Sequence, residues 1–395
     1  MAFNVIPLMV GFMVSNLYLH YFYGMFQSPP EDPTLEQSHF YLDDPETQVL
    51  DSVGQLAEYG WRDQPTAEFN FWELPLLRYT RFKQWEAVGV TTPTHMIVVA
   101  LADLGTWFPG NIYLHYFDIR DSSTLVKTKL IPPWAKPELP TDQCQMTTFS
   151  VDFGDVVFKI TYDDTAQLKD YYILFKDADG EGRDFELTSR ATIPVPLDHI
   201  VMHTPFTDGG SMFFYNCKTY TMPTQGTLRL GTEKLEFEKT NSFTITDFGR
   251  GVWPYLSKWI WGSGSGVVNS QAFGLNLGTV YPDPSAARAT EDSIFIDGKI
   301  IKLDELKIDY AGSTDEELLQ EWTFATFRPN PQYAQAQFTF KPKTLLQNST
   351  NFLIMWSDMR QIYGTYSGEV TTIEGEKIKF EDIDGFIEFF NTGWQ

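Results

Sequence analysis

The sequence predicts an all-β protein: two antiparallel β domains of barrel or sandwich type, entered through an N-terminal hydrophobic helix. Three observations predict it. Short apolar runs recur from Trp61 to Phe390, broken by Gly, Pro and Asp turns, with no helix-length amphipathic segments alternating between them. Aromatic residues make up 16% of the chain, as 32 Phe, 19 Tyr and 11 Trp, a composition suited to strands and to aromatic-lined cavities. Residues 1–30 carry no Asp, Glu, Lys or Arg, and Val5–Phe26 forms an apolar run of roughly the 20 residues a bilayer-crossing helix needs.

That first segment, residues 1–28, reads as a transmembrane or intersubunit helix. Tyr18, Tyr21, Phe22 and Tyr23 gather at its end like an interfacial belt. A secretory leader fits poorly, because the first basic residue is Arg62 and no small-x-small cleavage site follows. Asn4, Ser15, Asn16 and His20 spot the run with polar groups, which favours packing against other helices. Residues 29–60 form a Pro-rich acidic linker and then a short amphipathic helix, with Asp44 as N-cap, Pro45 in the first turn and Gly60 as the stop.

Strands follow. His95–Leu104 and Asn111–Ile119 form a hairpin around the turn 105–110, and Tyr171–Phe175 pairs with Phe185–Thr192 across Asp177-Ala178-Asp179-Gly180. The Pro-rich segment Ile193–Pro205 divides a first β domain, 61–200, from a second, 201–395.

Charge narrows the partners. With 52 acidic against 29 basic residues the formal charge is −23, which repels phosphate backbones and excludes nucleic acid as a partner. Cys144 and Cys217 are too few for a disulfide framework and read as buried free thiols rather than a bonded pair.

Several constellations give way to plainer readings. His199 and His203 are four apart, but Ile200 follows the first and prolines crowd the segment, so they read as structural. Asp177, Asp179 and Glu181 lack the glutamate that closes a calcium loop and read as a hairpin turn. The run 262–266, G-S-G-S-G, lacks a Lys-Ser/Thr pair and reads as a flexible connector. No metal or cofactor site is expected. The stretch Asp247–Gly278 stands out, because small residues alternate there with Trp253, Trp259 and Trp261. Within it Arg250, grouped with Asp247 and Glu291, reads either as the holder of a ligand's polar head or as a buried structural ion pair.

These residues also carry a resemblance. Asp247-Phe248-Gly249-Arg250-Gly251, Trp253-Pro254-Tyr255, Trp259-x-Trp261, Gly274-x-Asn276-Leu277-Gly278, Thr290-Glu291 and Ile296-Asp297-Gly298-Lys299 resemble the core of the domain-of-unknown-function family numbered 2804. Gly60-Trp61, Trp85-Glu86, Ala102-Asp103 and Tyr363-Gly364-x-Tyr366-Ser367-Gly368 keep the same order, so the likeness spans about residues 55–395. Phe248 stands where the family often has Trp. A looser likeness joins that family to tandem lipocalin-like proteins, among them carotenoid hydratases, tocopherol cyclases and decalin-forming cyclases. It implies two lipocalin-like antiparallel β-barrel or sandwich domains.

Two functions are therefore expected. The leading one is a non-catalytic accessory subunit of a membrane protein complex, anchored by its N-terminal helix, in an energy-converting membrane such as the mitochondrial inner membrane. The alternative is a protein that binds a lipid or isoprenoid, or a lipocalin-like cyclase or isomerase. Its ligand would meet Asp247, Arg250, Trp253, Tyr255, Trp259, Trp261, Asn276 and Glu291 in a cavity of roughly 300 Å3 or more.

Overall fold

The computed structural model describes residues 41–393, apart from 44–47, 66–68, 141–143, 145–146, 207–209, 282–289, 328 and 352–355. Nearly all of it is strand. The first sheet comprises β1 (Gly60–Arg62), β2 (Phe82–Thr91), β3 (His95–Asp103), β4 (Gly110–Asp118), β5 (Thr124–Ile131), β6 (Phe149–Asp152), β7 (Val156–Asp163), β8 (Leu168–Phe175), β9 (Phe185–Thr192), β10 (Ile200–Pro205), β11 (Phe213–Leu230), β12 (Glu233–Phe237) and β13 (Phe243–Val252). The second comprises β14 (Leu256–Val268), β15 (Gln271–Tyr281), β16 (Ser293–Ile296), β17 (Lys299–Lys302), β18 (Leu306–Asp309), β19 (Trp322–Thr326), β20 (Gln335–Asn351), β21 (Trp356–Thr371) and β22 (Lys377–Gly393).

Every pairing between these strands is antiparallel. The main path of the first sheet runs β5-β4-β3-β2-β13-β11-β9-β8-β7-β6, and that of the second β17-β16-β15-β14-β22-β21-β20-β19-β18. Each sheet curls without pairing its two outermost strands, so the protein is built of two half-barrels rather than two closed barrels. Both expected hairpins form, with His95 opposite Asp118 in the first and Tyr171 opposite Ser189 in the second. The change of sheet falls at Trp253–Tyr255, and the Pro-rich segment 193–205 lies within the first sheet.

Strand pleating sends alternate side chains to opposite faces. In β2 and β3, Val88, Val90, Ile97, Val99 and Leu101 face the core of the first half-barrel, together with Ile112, Phe158 and Ile173. Leu275, Leu277, Phe338, Ile362 and Ile387 belong to the corresponding core of the second. The opposite face is also covered. Met96, Val98, Phe117 and Ile245 of the first sheet pack with Trp261, Phe295, Tyr363 and Phe386 of the second. Phe117 stacks on Tyr363 at 4.5 Å and Tyr220 on Phe295 at 5.0 Å. The two half-barrels thus meet through faces turned away from their own cores.

The short helix expected from Asp44 does not form in its described part. The Asp51 carboxylate accepts the backbone N–H groups of Val53 and Gln55, each at 2.9 Å, and Gly54 turns at φ +74°. An Asp that bonds its own backbone this way favours a turn over a helix interior. The run 262–266 is no connector either, since it lies inside β14, paired to β15 and β22. Gly262 and Gly264 make room for Tyr366, whose hydroxyl lies 2.7 Å from where a Cβ on Gly262 would stand. Cys144 and Cys217 are joined in a disulfide with a Cα separation of 5.3 Å, not free.

Two other motifs can be placed in the fold. Asp179 Oδ1 accepts from the backbone of Glu181 and Arg183 at 2.9 and 3.0 Å, which closes a hairpin turn. His199 and His203 are buried, and burial pushes both imidazoles down to about 3.

The anchored accessory subunit is corrected. Among the described residues no helix is long and apolar enough to cross a membrane, and the part read as a cap encloses the cavity described next. The expected span, 5–26, lies outside the described residues.

Candidate functional site

Between the facing sheets lies a cavity of about 140 Å3. Its origin is legible in the side chains. Ala87 on β2 and Ala100 and Ala102 on β3 project toward the second sheet from positions that alternate with the large core residues of the first. Three alanines where neighbours carry Val and Leu leave a hollow. Aromatic rings roof it: Trp85, Phe214, Trp253, Trp259, Trp261 and Phe390 all line it. Trp253 touches four other rings, with centroids 4.9 Å from Phe214, 4.8 Å from Phe206, 5.3 Å from Trp259 and 5.9 Å from Trp85. Trp259 stacks on Phe390 at 4.0 Å.

The glycines of the Asp247–Gly278 stretch seat these groups. A Cβ on Gly249 would stand 2.1 Å from Trp85 Cε2, so the absence of a side chain lets that indole lie flat over β13. A Cβ on Gly278 would stand 2.1 Å from both Cγ and Oε1 of Glu291. Such contacts are far inside van der Waals distance.

Against this apolar wall stands a cluster of charge. Lys218 on β11 reaches Glu291 Oε1 at 2.8 Å and Asp247 Oδ2 at 3.8 Å, and its ammonium lies 4.4 Å from the centre of the Trp261 ring. Asn216 donates to Glu291 Oε2 at 2.7 Å. Trp259 donates its indole N–H to Glu388 Oε1 at 2.9 Å. Asn276 holds the arrangement from one layer behind: its Oδ1 accepts from Trp261 at 3.1 Å and Tyr220 at 2.8 Å, while its Nδ2 donates to the Glu291 carbonyl at 2.8 Å.

Burial sets the protonation of Asp247 and Glu388, two of the three carboxyls that line the cavity. Glu388 is pushed up to about 7, chiefly by burial and further by the nearby charge of Asp247, against the opposing pull of the Trp259 hydrogen bond and Lys218. Asp247 is pushed up to about 6 by burial, with Lys218 opposing and Glu291 adding to the rise. Desolvation disfavours the charged form of a carboxyl, which is why both rise. Glu388 is therefore about half protonated at neutral pH, and Asp247 mostly ionised.

Of the residues named from sequence, Asp247, Trp253, Trp259, Trp261 and Glu291 line the cavity. Asn276 supports it without lining it, and Tyr255 lies in the turn between the sheets, outside the lining. Arg250 is corrected. It sits three residues beyond Asp247, so the pleat turns it to the other face of β13, away from Glu291. There it pairs with Glu86 Oε1 at 2.5 Å and donates to the carbonyls of Trp85, Gly249 and Pro140. The cation beside Asp247 and Glu291 is Lys218.

Sequence reasoning missed Lys218 and Glu388, as well as Tyr113, Trp356 and the two asparagines 111 and 348 that also line the cavity. A signal existed for the first two. Each is a lone charge inside a run otherwise apolar or uncharged, F-F-Y-N-C-K-T-Y for Lys218 and F-I-E-F-F for Glu388, and a strand buried on both faces keeps a charge only where it has a partner. Asn348, first in an N-x-S/T sequence, turns inward and donates to Thr128 at 3.3 Å. The cavity is also smaller than the roughly 300 Å3 expected.

Several solved structures are similar at low identity. CghA is 8% identical, with 79% of this chain and 88% of that chain covered and a TM-score of 0.44. Kievitone hydratase from Nectria haematococca is 10% identical, with coverages of 79% and 89% and a TM-score of 0.43. A Nitrosomonas europaea protein described as AttH is 12% identical, with coverages of 80% and 93% and a TM-score of 0.48. No curated protein matches the chain. The aromatic and glycine pattern that shapes this cavity falls within residues 42–394, which match the model of the domain of unknown function DUF2804, and the chain belongs to that family.

Proposed function

We propose that this protein binds a small, largely apolar molecule between its half-barrels and moves protons on it, as a lipocalin-like isomerase or cyclase would. One observation carries the reading: two carboxyls with raised pKa, Asp247 and Glu388, line the same aromatic-walled cavity as an amine held by a third carboxylate. Titratable groups displaced from their ordinary range inside an apolar pocket are the usual equipment of acid–base catalysis. Glu388, still partly protonated at neutral pH and oriented by Trp259, serves as the acid. Asp247, mostly ionised, serves as the base. Lys218 with Glu291 receives the polar end of the ligand.

Size narrows the ligand. A dry apolar cavity of about 150 Å3 takes up benzene, and this one measures about 140 Å3. It accepts a one-ring body carrying a hydroxyl or carbonyl. A longer lipid or isoprenoid would place its ring end here.

The test uses α-terpineol, a one-ring isoprenoid alcohol. Binding is read by quenching of tryptophan fluorescence, and proton transfer by deuterium incorporation from heavy water, followed by mass spectrometry. Saturable quenching with deuterium incorporation supports the proposal, and Glu388→Gln is expected to keep the first and lose the second. Quenching without exchange reduces the protein to a carrier. Neither signal, across a panel that includes phenol and cyclohexenone, removes the reading.

A further inference from the structure

Cys217 precedes Lys218 on β11, so the pleat turns it to the opposite face, away from the cavity. There it meets Cys144 and His199. One ligand-capable atom from each lies within 4.8 Å of the others, and all three residues are buried. His199 is 3% exposed, and among the described residues neither ring nitrogen makes a hydrogen bond of ordinary geometry. A buried imidazole normally satisfies at least one of its nitrogens. This ring instead stands beside two sulfurs.

We propose that Cys144, Cys217 and His199 form a thiol-dependent zinc site, closed to metal while the disulfide is intact and opened by its reduction. A dithiol reductant supplies two electrons and two protons, is itself oxidised to a disulfide, and leaves Cys144 and Cys217 as thiols. The ion then displaces both thiol protons to solvent and takes the two thiolates with the lone pair of the neutral His199 imidazole. Two sulfurs and one nitrogen fill three corners of a tetrahedron and leave a fourth open. Zinc–sulfur bonds of about 2.3 Å place tetrahedral sulfurs about 3.8 Å apart. The carboxylates that would favour a hard cation are absent from the trio, and thiolate with imidazole selects zinc.

Cobalt(II) serves as the spectroscopic stand-in for zinc. The full chain, reduced with a phosphine that does not bind metal, is expected to take up one Co2+ with a sulfur-to-cobalt charge-transfer band and tetrahedral d–d bands, and zinc is expected to displace it. The oxidised chain should show neither band. His199→Ala is expected to weaken binding by about tenfold or more and to shift the d–d bands, while His203→Gln should change neither, because His203 lies against Tyr215 outside the trio. If reduction alone loosens the fold, zinc is expected to raise the melting temperature of the reduced protein. Equal cobalt affinity in the oxidised and reduced chains, an unchanged spectrum in His199→Ala, or no thermal shift with zinc in a loosened protein overturns the proposal.

Discussion

Lys218 Nζ stands 2.8 Å from Glu291 Oε1, which joins the middle of the first sheet to the residues that lead into β16 of the second. Both side chains are nearly buried, at 4% and 7% exposure. Removing one partner strands the other charge in a dry interface, which commonly costs about 3–5 kcal/mol. Lys218→Met and Glu291→Gln are each expected to destabilise in that range. The double variant is expected to recover more than about 1.5 kcal/mol of the summed loss, as neighbours in one ion pair do. Urea unfolding of the four proteins measures it; strict additivity would show the pair to be incidental.

Glu388 makes stability depend on pH in a direction opposite to an exposed carboxylate. Its folded value, about 7, lies above its ordinary 4.5, so between those two values the folded state holds more protons than the unfolded one. The stabilisation is complete below about pH 4.5 and fades as pH rises through 7. At about 1.4 kcal/mol for each unit of pKa, the swing is roughly 3 kcal/mol. Glu388→Gln lacks this titration. Its unfolding free energy relative to the native protein is expected to rise by that amount between pH 4.5 and 8.5. Parallel pH profiles for the two proteins would place Glu388 in a wet, unperturbed setting.

Gly278→Ala tests how the ion pair is seated. The new methyl would fall 2.1 Å from Glu291 Cγ and Oε1, so the glutamate has to leave its place beside Lys218. Overpacking of this kind costs about 1–3 kcal/mol. Ligand-induced quenching of tryptophan fluorescence is expected to weaken together with stability. An alanine variant with native stability and native quenching would show that Glu291 has another place to go.

What the sequence disclosed depended on how local the cause was. The strands β3 and β4 were legible because both faces of β3 are buried, giving the run M-I-V-V-A-L-A with no ambiguity about helix. The sheet boundary was not legible. Pairing of β13 with β2 joins residues far apart in sequence, and no local pattern records it. The disulfide bridges 73 residues for the same reason. Gly262, Gly264 and Gly266 misled because glycine weakens an isolated strand, whereas here Tyr366 occupies the space of side chains at 262 and 264, and Ile383 that at 266. Five of the eight residues named from sequence line the cavity, four of them from the one stretch that Trp and Gly crowd. Lys218 and Glu388 arrive from strands elsewhere in the chain, and only the fold brings them in.

Arg250 separates a structural ion pair from a binding group. Its guanidinium lies 3.7 Å from the centre of the Phe248 ring and pairs with Glu86 at 2.5 Å inside the first half-barrel, on the face of β13 opposite Asp247. Burial lowers its basicity, and the Glu86 charge opposes that fall without cancelling it. Arg250→Met leaves Glu86 buried without its cation, and a loss of about 3–5 kcal/mol is expected. Arg250→Met with Glu86→Gln removes both charges and is expected to regain much of that loss, because replacing a whole buried pair is often near neutral. In either protein the folded fraction should bind α-terpineol with native affinity, since the cavity wall formed by Asp247, Lys218 and Trp253 lies on the other side of the strand. A variant that stays folded by circular dichroism yet loses the quenching response would move Arg250 back into the binding site.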